Sequence, residues 1–175
     1  MKTPAIAAIF LLAWSAAAQS APDMKPGDTC EKLRAAYGNE ASQDGPSHIW
    51  QLGGVTIMVL VKPGGPCVAG LVEYSVQPGH TLRTRDGIIL GKDTIAEARL
   101  KLKGRIDPDS YMSVRGEGKA YGQLVIKPIP AYPFTGTYSW LLNPAVADKQ
   151  SHPPKITDFT SEPVIAYSID SEKRQ

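Results

Sequence analysis

A short helical pattern occurs twice in the chain, and each time β-type sequence follows it. The first copy spans 27–38 and the second spans 91–104. Each has an Asp-Thr pair at its start, apolar residues on one face and a glycine at its end. Such residues cap short helices, and glycine ends them because it adopts a left-handed backbone freely. The repetition predicts an α+β fold of two tandem units, each a short helix packed on an antiparallel sheet of about three strands.

Capping residues and apolar spacing define both predicted helices. Asp28 or Thr29 would cap the first helix, with Glu31 completing a capping box, and Thr94 and Glu97 would form the box of the second. The residues predicted to face the sheet are Cys30, Leu33 and Tyr37 in the first helix, and Ile95, Ala98 and Leu102 in the second.

Apolar stretches and turn residues predict the strands. They are 47–52, 55–61 and 67–76 in the first half, and 111–115, 121–127, 155–161 and 164–169 in the second. The first unit is therefore predicted at 19–80 and the second at 81–170. A Pro/aromatic-rich insertion is predicted at 128–154, and a polar tail at 171–175.

Residues 1–18 have the layout of a secretory signal. One cation precedes an uncharged apolar run at 5–14, and small residues follow it. The run is too short to cross the ~30 Å hydrocarbon core of a bilayer. We predict cleavage after Ala18 and export to the periplasm, or secretion beyond it, without stable membrane insertion.

Cys30 and Cys67 are the only cysteines. An even count in an exported chain predicts a disulfide, which here would join the first helix to the sheet. We expect no metal site, because two cysteines alone bind metal poorly and no histidine has ligand spacing to either.

The segments 27–38 and 91–104 resemble the helix that opens BamE/SmpA-type domains. Their tandem use is similar to the β-lactamase inhibitor protein family, in which each unit is a short helix packed on an antiparallel sheet. Two features differ. The lipid-anchor cysteine of BamE-type proteins is missing, and the tandem inhibitors carry a disulfide in each half, whereas here only the first half has cysteines. The resemblance therefore implies a fold, but neither a partner nor a contact residue.

The charges and polar residues exclude some functions. The 19 basic and 17 acidic residues are interspersed, which argues against nucleic-acid binding. No nucleophile elbow occurs, and the histidines are predicted to lie in exposed loops or at strand edges: His48, His80 and His152. We expect no catalytic residue and no cofactor. The alternative is a cell-wall glycan hydrolase using Asp107, Asp109 or Glu117.

Four aromatic residues in the insertion form the candidate partner-binding site: Tyr132, Phe134, Tyr138 and Trp140. Aromatic side chains give a large contact area, and neighbouring prolines stiffen the backbone before binding. Alternatively, Tyr138 and Trp140 alternate as strand residues and cover the sheet. The sequence favours an exported inhibitor or immunity protein acting on a secreted or cell-envelope protein, such as a cell-wall hydrolase or toxin. A glycan-binding or small-ligand-binding module is the other non-catalytic alternative.

Overall fold

The computed structural model describes residues 19–61, 64–106, 112–116, 119–141 and 161–171. These residues are mostly β, with two short helices. In chain order the elements are β1 (Gln19–Ser20), α1 (Cys30–Tyr37), β2 (Ser42–Asp44), β3 (Ser47–Leu52), β4 (Val55–Val61), β5 (Ala69–Val76), β6 (Leu82–Arg83), β7 (Ile89–Leu90), α2 (Ile95–Lys101), β8 (Met112–Gly116), β9 (Lys119–Ile126), β10 (Thr135–Leu141) and β11 (Ala166–Asp170).

Eight of these strands form one antiparallel sheet, in the order β2-β3-β4-β5-β11-β10-β9-β8. A smaller sheet has the order β1-β6-β7. The last strands of the two halves, β5 and β11, are direct neighbours in the large sheet. The predicted α+β fold of two helix-on-sheet units is therefore wrong: the chain is mainly β, and both halves contribute to one sheet.

Strand pairing explains this difference. The similar segments 71–76 and 164–169 suggested equivalent strands in two separate units. In the structure they lie side by side, with Tyr74 opposite Tyr167. An open sheet edge leaves backbone N–H and C=O groups unpaired, and joining two edges satisfies both. Local sequence patterns do not encode this choice of partner.

One face of the large sheet forms the core. The strand register places a row of large side chains next to one another across six strands, and each is at most 2% exposed: Trp50, Ile57, Tyr74, Tyr167, Tyr138 and Leu124. Helix α1 is tied to this sheet by Trp50, whose indole N–H donates to the Gly38 carbonyl at 3.0 Å.

The helix ends are only partly as predicted. The capping box of Thr94 and Glu97 is confirmed. In α1, Thr29 occupies the N-cap without a side-chain hydrogen bond, and Asp28 instead accepts hydrogen bonds from the Lys25 backbone and the Lys32 amine. Cys30 and Leu33 on the predicted apolar face of α1 are buried, whereas Tyr37 at the end of the same face is 36% exposed.

Three further predictions concern the ends of the chain and the insertion. The first part of the expected insertion, 128–154, contributes β10, which lies inside the large sheet between β11 and β9. Its remaining part and the predicted signal at 1–18 lie outside the described residues. No helix in the described ranges is long and apolar enough to cross a membrane.

Truncating Ile95 should destabilise the protein. Its side chain is 1% exposed at the start of α2, so Ile95→Ala should lower the free energy of unfolding by about 2–4 kcal/mol through lost burial and a residual cavity. Leu100→Ala on the same helix is the matched control, because Leu100 is 76% exposed. Urea denaturation provides the measurement. Equal midpoints for Ile95→Ala and Leu100→Ala would contradict the packing described for α2.

Candidate binding site

An open cavity of about 360 Å³ lies beside the central tyrosines of the sheet. Residues 20–24 and 83–85 form two of its walls, and side chains of β5 and β11 form its base. Tyr132 completes the lining. The volume is within the range of small-ligand pockets, which are about 300–1,000 Å³.

The base of the cavity includes the aromatic rings of Tyr74 and Tyr167. The Tyr167 ring stacks on Tyr138 with centroids 4.5 Å apart and on Tyr74 at 6.4 Å. The Tyr74 hydroxyl donates to the Pro22 carbonyl at 2.8 Å, which ties the base to one wall. Burial raises the pKa of all three tyrosines, so their hydroxyls stay neutral.

Asp86 anchors the wall formed by residues 83–85. Its carboxylate forms an ion pair with Arg105 and accepts a hydrogen bond from the Tyr138 hydroxyl at 2.8 Å. The same hydroxyl lies 3.0 Å from Thr84 Oγ1. The Asp86 charge is thus compensated within the fold, and the wall is connected to the core.

Two arginines give the cavity rim its charge. Arg83 and Arg85 are both exposed, and in the described part of the chain neither forms an ion pair. The Arg85 guanidinium lies 4.0 Å from the centroid of the Tyr132 ring, a cation–π geometry. Burial raises the pKa of Tyr132 to about 12, although Arg85 acts in the opposite direction. Asp23 is also in the lining. The two arginines outweigh its single carboxylate, so these lining residues carry a net positive charge.

The structure separates the four aromatic residues predicted to bind a partner. Tyr132 lines the cavity, and the Phe134 ring meets it edge-on with centroids 5.0 Å apart. Tyr138 and Trp140 are 0% exposed on the core side of β10, so these two cover the sheet, as the alternative interpretation had it. Sequence reasoning missed Arg83 and Arg85, for which the only signal was an Arg-Thr-Arg-Asp run with no apolar periodicity.

A second cluster surrounds the disulfide. The predicted bond between Cys30 and Cys67 is confirmed, with Cα atoms 5.5 Å apart. Glu40 and His48 lie beside it, and one ligand atom from each of the four residues falls within 4.8 Å of the others. His48 is near the start of β3, as the strand-edge prediction had it, but it is 5% exposed and therefore not in an exposed loop. Spacing along the chain gave no sign of this cluster, because it is assembled by tertiary contacts.

Glu40 is the charged centre of this cluster. Its carboxylate accepts hydrogen bonds from Arg34, with Nε at 3.1 Å, and lies 2.8 Å from His48 Nδ1. The Arg34 hydrogen bonds are the main reason that the pKa of Glu40 falls to about 2.

This lowered pKa predicts an acid-dependent loss of stability. A carboxyl group normally titrates near pKa ~4.3, so the ionised Glu40 stabilises the folded state above that pH, and this contribution is lost as the pH falls toward about 2. The thermal midpoint of the wild type should therefore drop more steeply between about pH 5 and pH 2 than that of Glu40→Gln. Calorimetric scans across this range provide the measurement. Parallel profiles for the two proteins would contradict the assignment.

The remaining candidate residues are the three carboxylates of the hydrolase alternative and two histidines. Asp107, Asp109, Glu117 and His152 lie outside the described residues. His80 is exposed, as predicted, next to Gly54. The hydrolase alternative is therefore not tested by the described residues.

Comparisons of the chain with protein-family models, curated proteins and solved structures give no match. The resemblance to BamE/SmpA-type domains stays a prediction.

Proposed function

We propose that the chain is an exported binding protein that acts by contact, not catalysis, on a secreted or cell-envelope protein, as an inhibitor or immunity protein in the periplasm. One observation carries this proposal: a preformed cavity whose rim presents two exposed arginines beside the buried ring of Tyr132, with neither arginine in an ion pair among the described residues. The disulfide supports export, because such bonds persist in oxidising compartments.

The chemistry of the rim favours an acidic group of the partner. Arginine binds carboxylates through paired hydrogen bonds, and Arg and Tyr are frequent among residues that dominate interface energies. Among the described residues, neither Arg83 nor Arg85 forms an ion pair that would have to break when a partner binds. A partner carboxylate beside an aromatic side chain would satisfy the rim and fill the cavity.

The surroundings of the cavity lower the cost of binding. Asp86 holds one wall through Arg105 and Tyr138, and Pro22 holds the other through Tyr74. A site that is already ordered loses little conformational entropy when a partner docks. A small carboxylated aromatic ligand is the second candidate, favoured by the cavity volume of about 360 Å³.

Selection of displayed random peptides on the immobilised protein tests this proposal. Peptides rich in Asp or Glu next to an aromatic residue should be enriched on the wild type and lost on Arg83→Gln/Arg85→Gln. Lys92→Gln/Lys103→Gln is the matched control, since it removes two exposed cations outside the cavity. Equal enrichment on all three proteins would contradict the proposed site. Binding of phenylacetate without any peptide enrichment would favour the second candidate.

A further inference from the structure

We propose that reduction of the Cys30–Cys67 disulfide creates a site for Zn²⁺ or a similar divalent transition metal, with both thiolates, His48 and Glu40 as ligands. This site is separate from the arginine-rimmed cavity and does not depend on the function proposed for it. Two sulfurs, one imidazole nitrogen and one carboxylate oxygen are a ligand set that Zn²⁺ accepts in tetrahedral geometry.

The four ligands come from different places in the fold. Cys30 begins α1, Cys67 precedes β5, Glu40 follows α1, and His48 lies in β3. Their ligand atoms lie within 4.8 Å of one another. Zn–ligand distances of about 2.0–2.3 Å place the ligand atoms of a tetrahedral Zn²⁺ site roughly 3.3–3.8 Å apart. Small side-chain movements would therefore complete the site.

The backbone keeps the two cysteines together when the S–S bond is absent. The Cys30 N–H donates to the Cys67 carbonyl at 2.9 Å. Next to it, the Ala69 N–H donates to the Asp28 carbonyl at 2.9 Å, and the Gly27 N–H donates to the Ala69 carbonyl at 2.8 Å. These bonds hold α1 against the start of β5, so opening the disulfide leaves both thiols near His48 and Glu40.

The charges and hydrogen bonds around the cluster also suit a bound metal ion. Zn²⁺ with two thiolates and one carboxylate has a net charge of −1, and the Arg34 guanidinium on Glu40 offsets it. Hydrogen bonds of this kind orient metal ligands and contribute to affinity. His48 is buried and Glu40 is half-buried, so both are already positioned by the fold.

A cavity of about 500 Å³ gives access to the cluster. His48 and Cys67 both line it, together with Pro46 and the glycines at 64 and 65. Cys67 and His48 therefore form the side of the cluster from which a reductant or a metal ion would approach.

The conversion is a thiol–disulfide exchange followed by metal binding. A dithiol reductant attacks the disulfide, its own two thiols are oxidised to a disulfide, and Cys30 and Cys67 become thiols. Binding of Zn²⁺ then releases the two thiol protons, so metal affinity should rise with pH.

Cobalt titration tests the site, because Co²⁺ replaces Zn²⁺ and absorbs visible light when thiolates coordinate it. The protein is reduced with dithiothreitol, freed of reductant under anaerobic conditions and titrated with Co²⁺. We expect one equivalent bound, visible absorption that Zn²⁺ removes, and no such absorption in the oxidised protein. His48→Ala and Glu40→Gln should each weaken binding at least about tenfold. His80→Ala is the matched histidine control.

Circular dichroism of the same samples separates metal binding from folding. A reduced chain that unfolds and regains its spectrum with Zn²⁺ supports the proposal, as does a folded reduced chain that binds one Co²⁺. A reduced chain that binds no Co²⁺, folded or unfolded, overturns it. Equal affinities of the wild type, His48→Ala and Glu40→Gln also overturn it, because the two thiolates would then act alone.

Discussion

Replacing Trp140 with alanine should lower the free energy of unfolding by about 3–5 kcal/mol. Trp140 is 0% exposed on β10, and its indole lies across Gly122 of β9, where a Cβ atom would overlap the ring. Removing the ring therefore loses a large buried area and leaves a cavity against a glycine that cannot fill it. Guanidinium denaturation followed by circular dichroism measures the loss.

Two variants make this prediction specific. Leu141→Ala changes the next residue of the same strand, which is 45% exposed, and should have little effect. Gly122→Ala should destabilise the wild type because of the overlap with Trp140, but less so in the Trp140→Ala background, where the space is empty. Additive effects of Gly122→Ala and Trp140→Ala would contradict this contact.

Removing the disulfide with Cys30→Ser/Cys67→Ser should lower the free energy of unfolding by about 2–5 kcal/mol. The two cysteines are 37 positions apart, and for a loop of this length the chain-entropy model gives about 4 kcal/mol. The bond constrains the unfolded chain, and in the folded chain it joins the start of α1 to the residues before β5. Urea denaturation of the double variant and of the oxidised wild type gives the difference.

Reduction of the wild type without metal provides the control. A reductant should shift the denaturation midpoint of the wild type toward that of the double variant and leave the double variant unchanged. If the oxidised wild type and the double variant unfold at the same urea concentration, the disulfide does not stabilise the fold as described.

Local features were predictable from the sequence. The capping box joins Thr94 to Glu97 within one helical turn, so the residues themselves specify it. The disulfide followed from the count of two cysteines in a chain predicted to be exported, and β3 and β4 followed from β-type sequence on either side of a Gly-Gly turn.

Long-range features were not predictable. The pairing of β5 with β11 depends on which sheet edges are free, and prolines before β10 made a buried strand look like an insertion. The two sites could not be predicted for the same reason. Arg85 contacts Tyr132, and His48 lies near Cys67, only after distant segments of the chain pack together. A polar residue in a loop and one beside a cavity look alike in the sequence.

In the proposed function, the arginine rim binds an acidic group of a protein partner. The most direct test is calorimetric titration of the partner captured from an envelope extract of the source organism, using the wild type, Arg83→Glu/Arg85→Glu and Lys92→Glu/Lys103→Glu, each first shown to be folded by circular dichroism. The rim variant should bind at least about tenfold more weakly than the wild type, a loss of about 1.4 kcal/mol, while the lysine variant should bind like the wild type. Equal affinities of the rim variant and the wild type would contradict the claim.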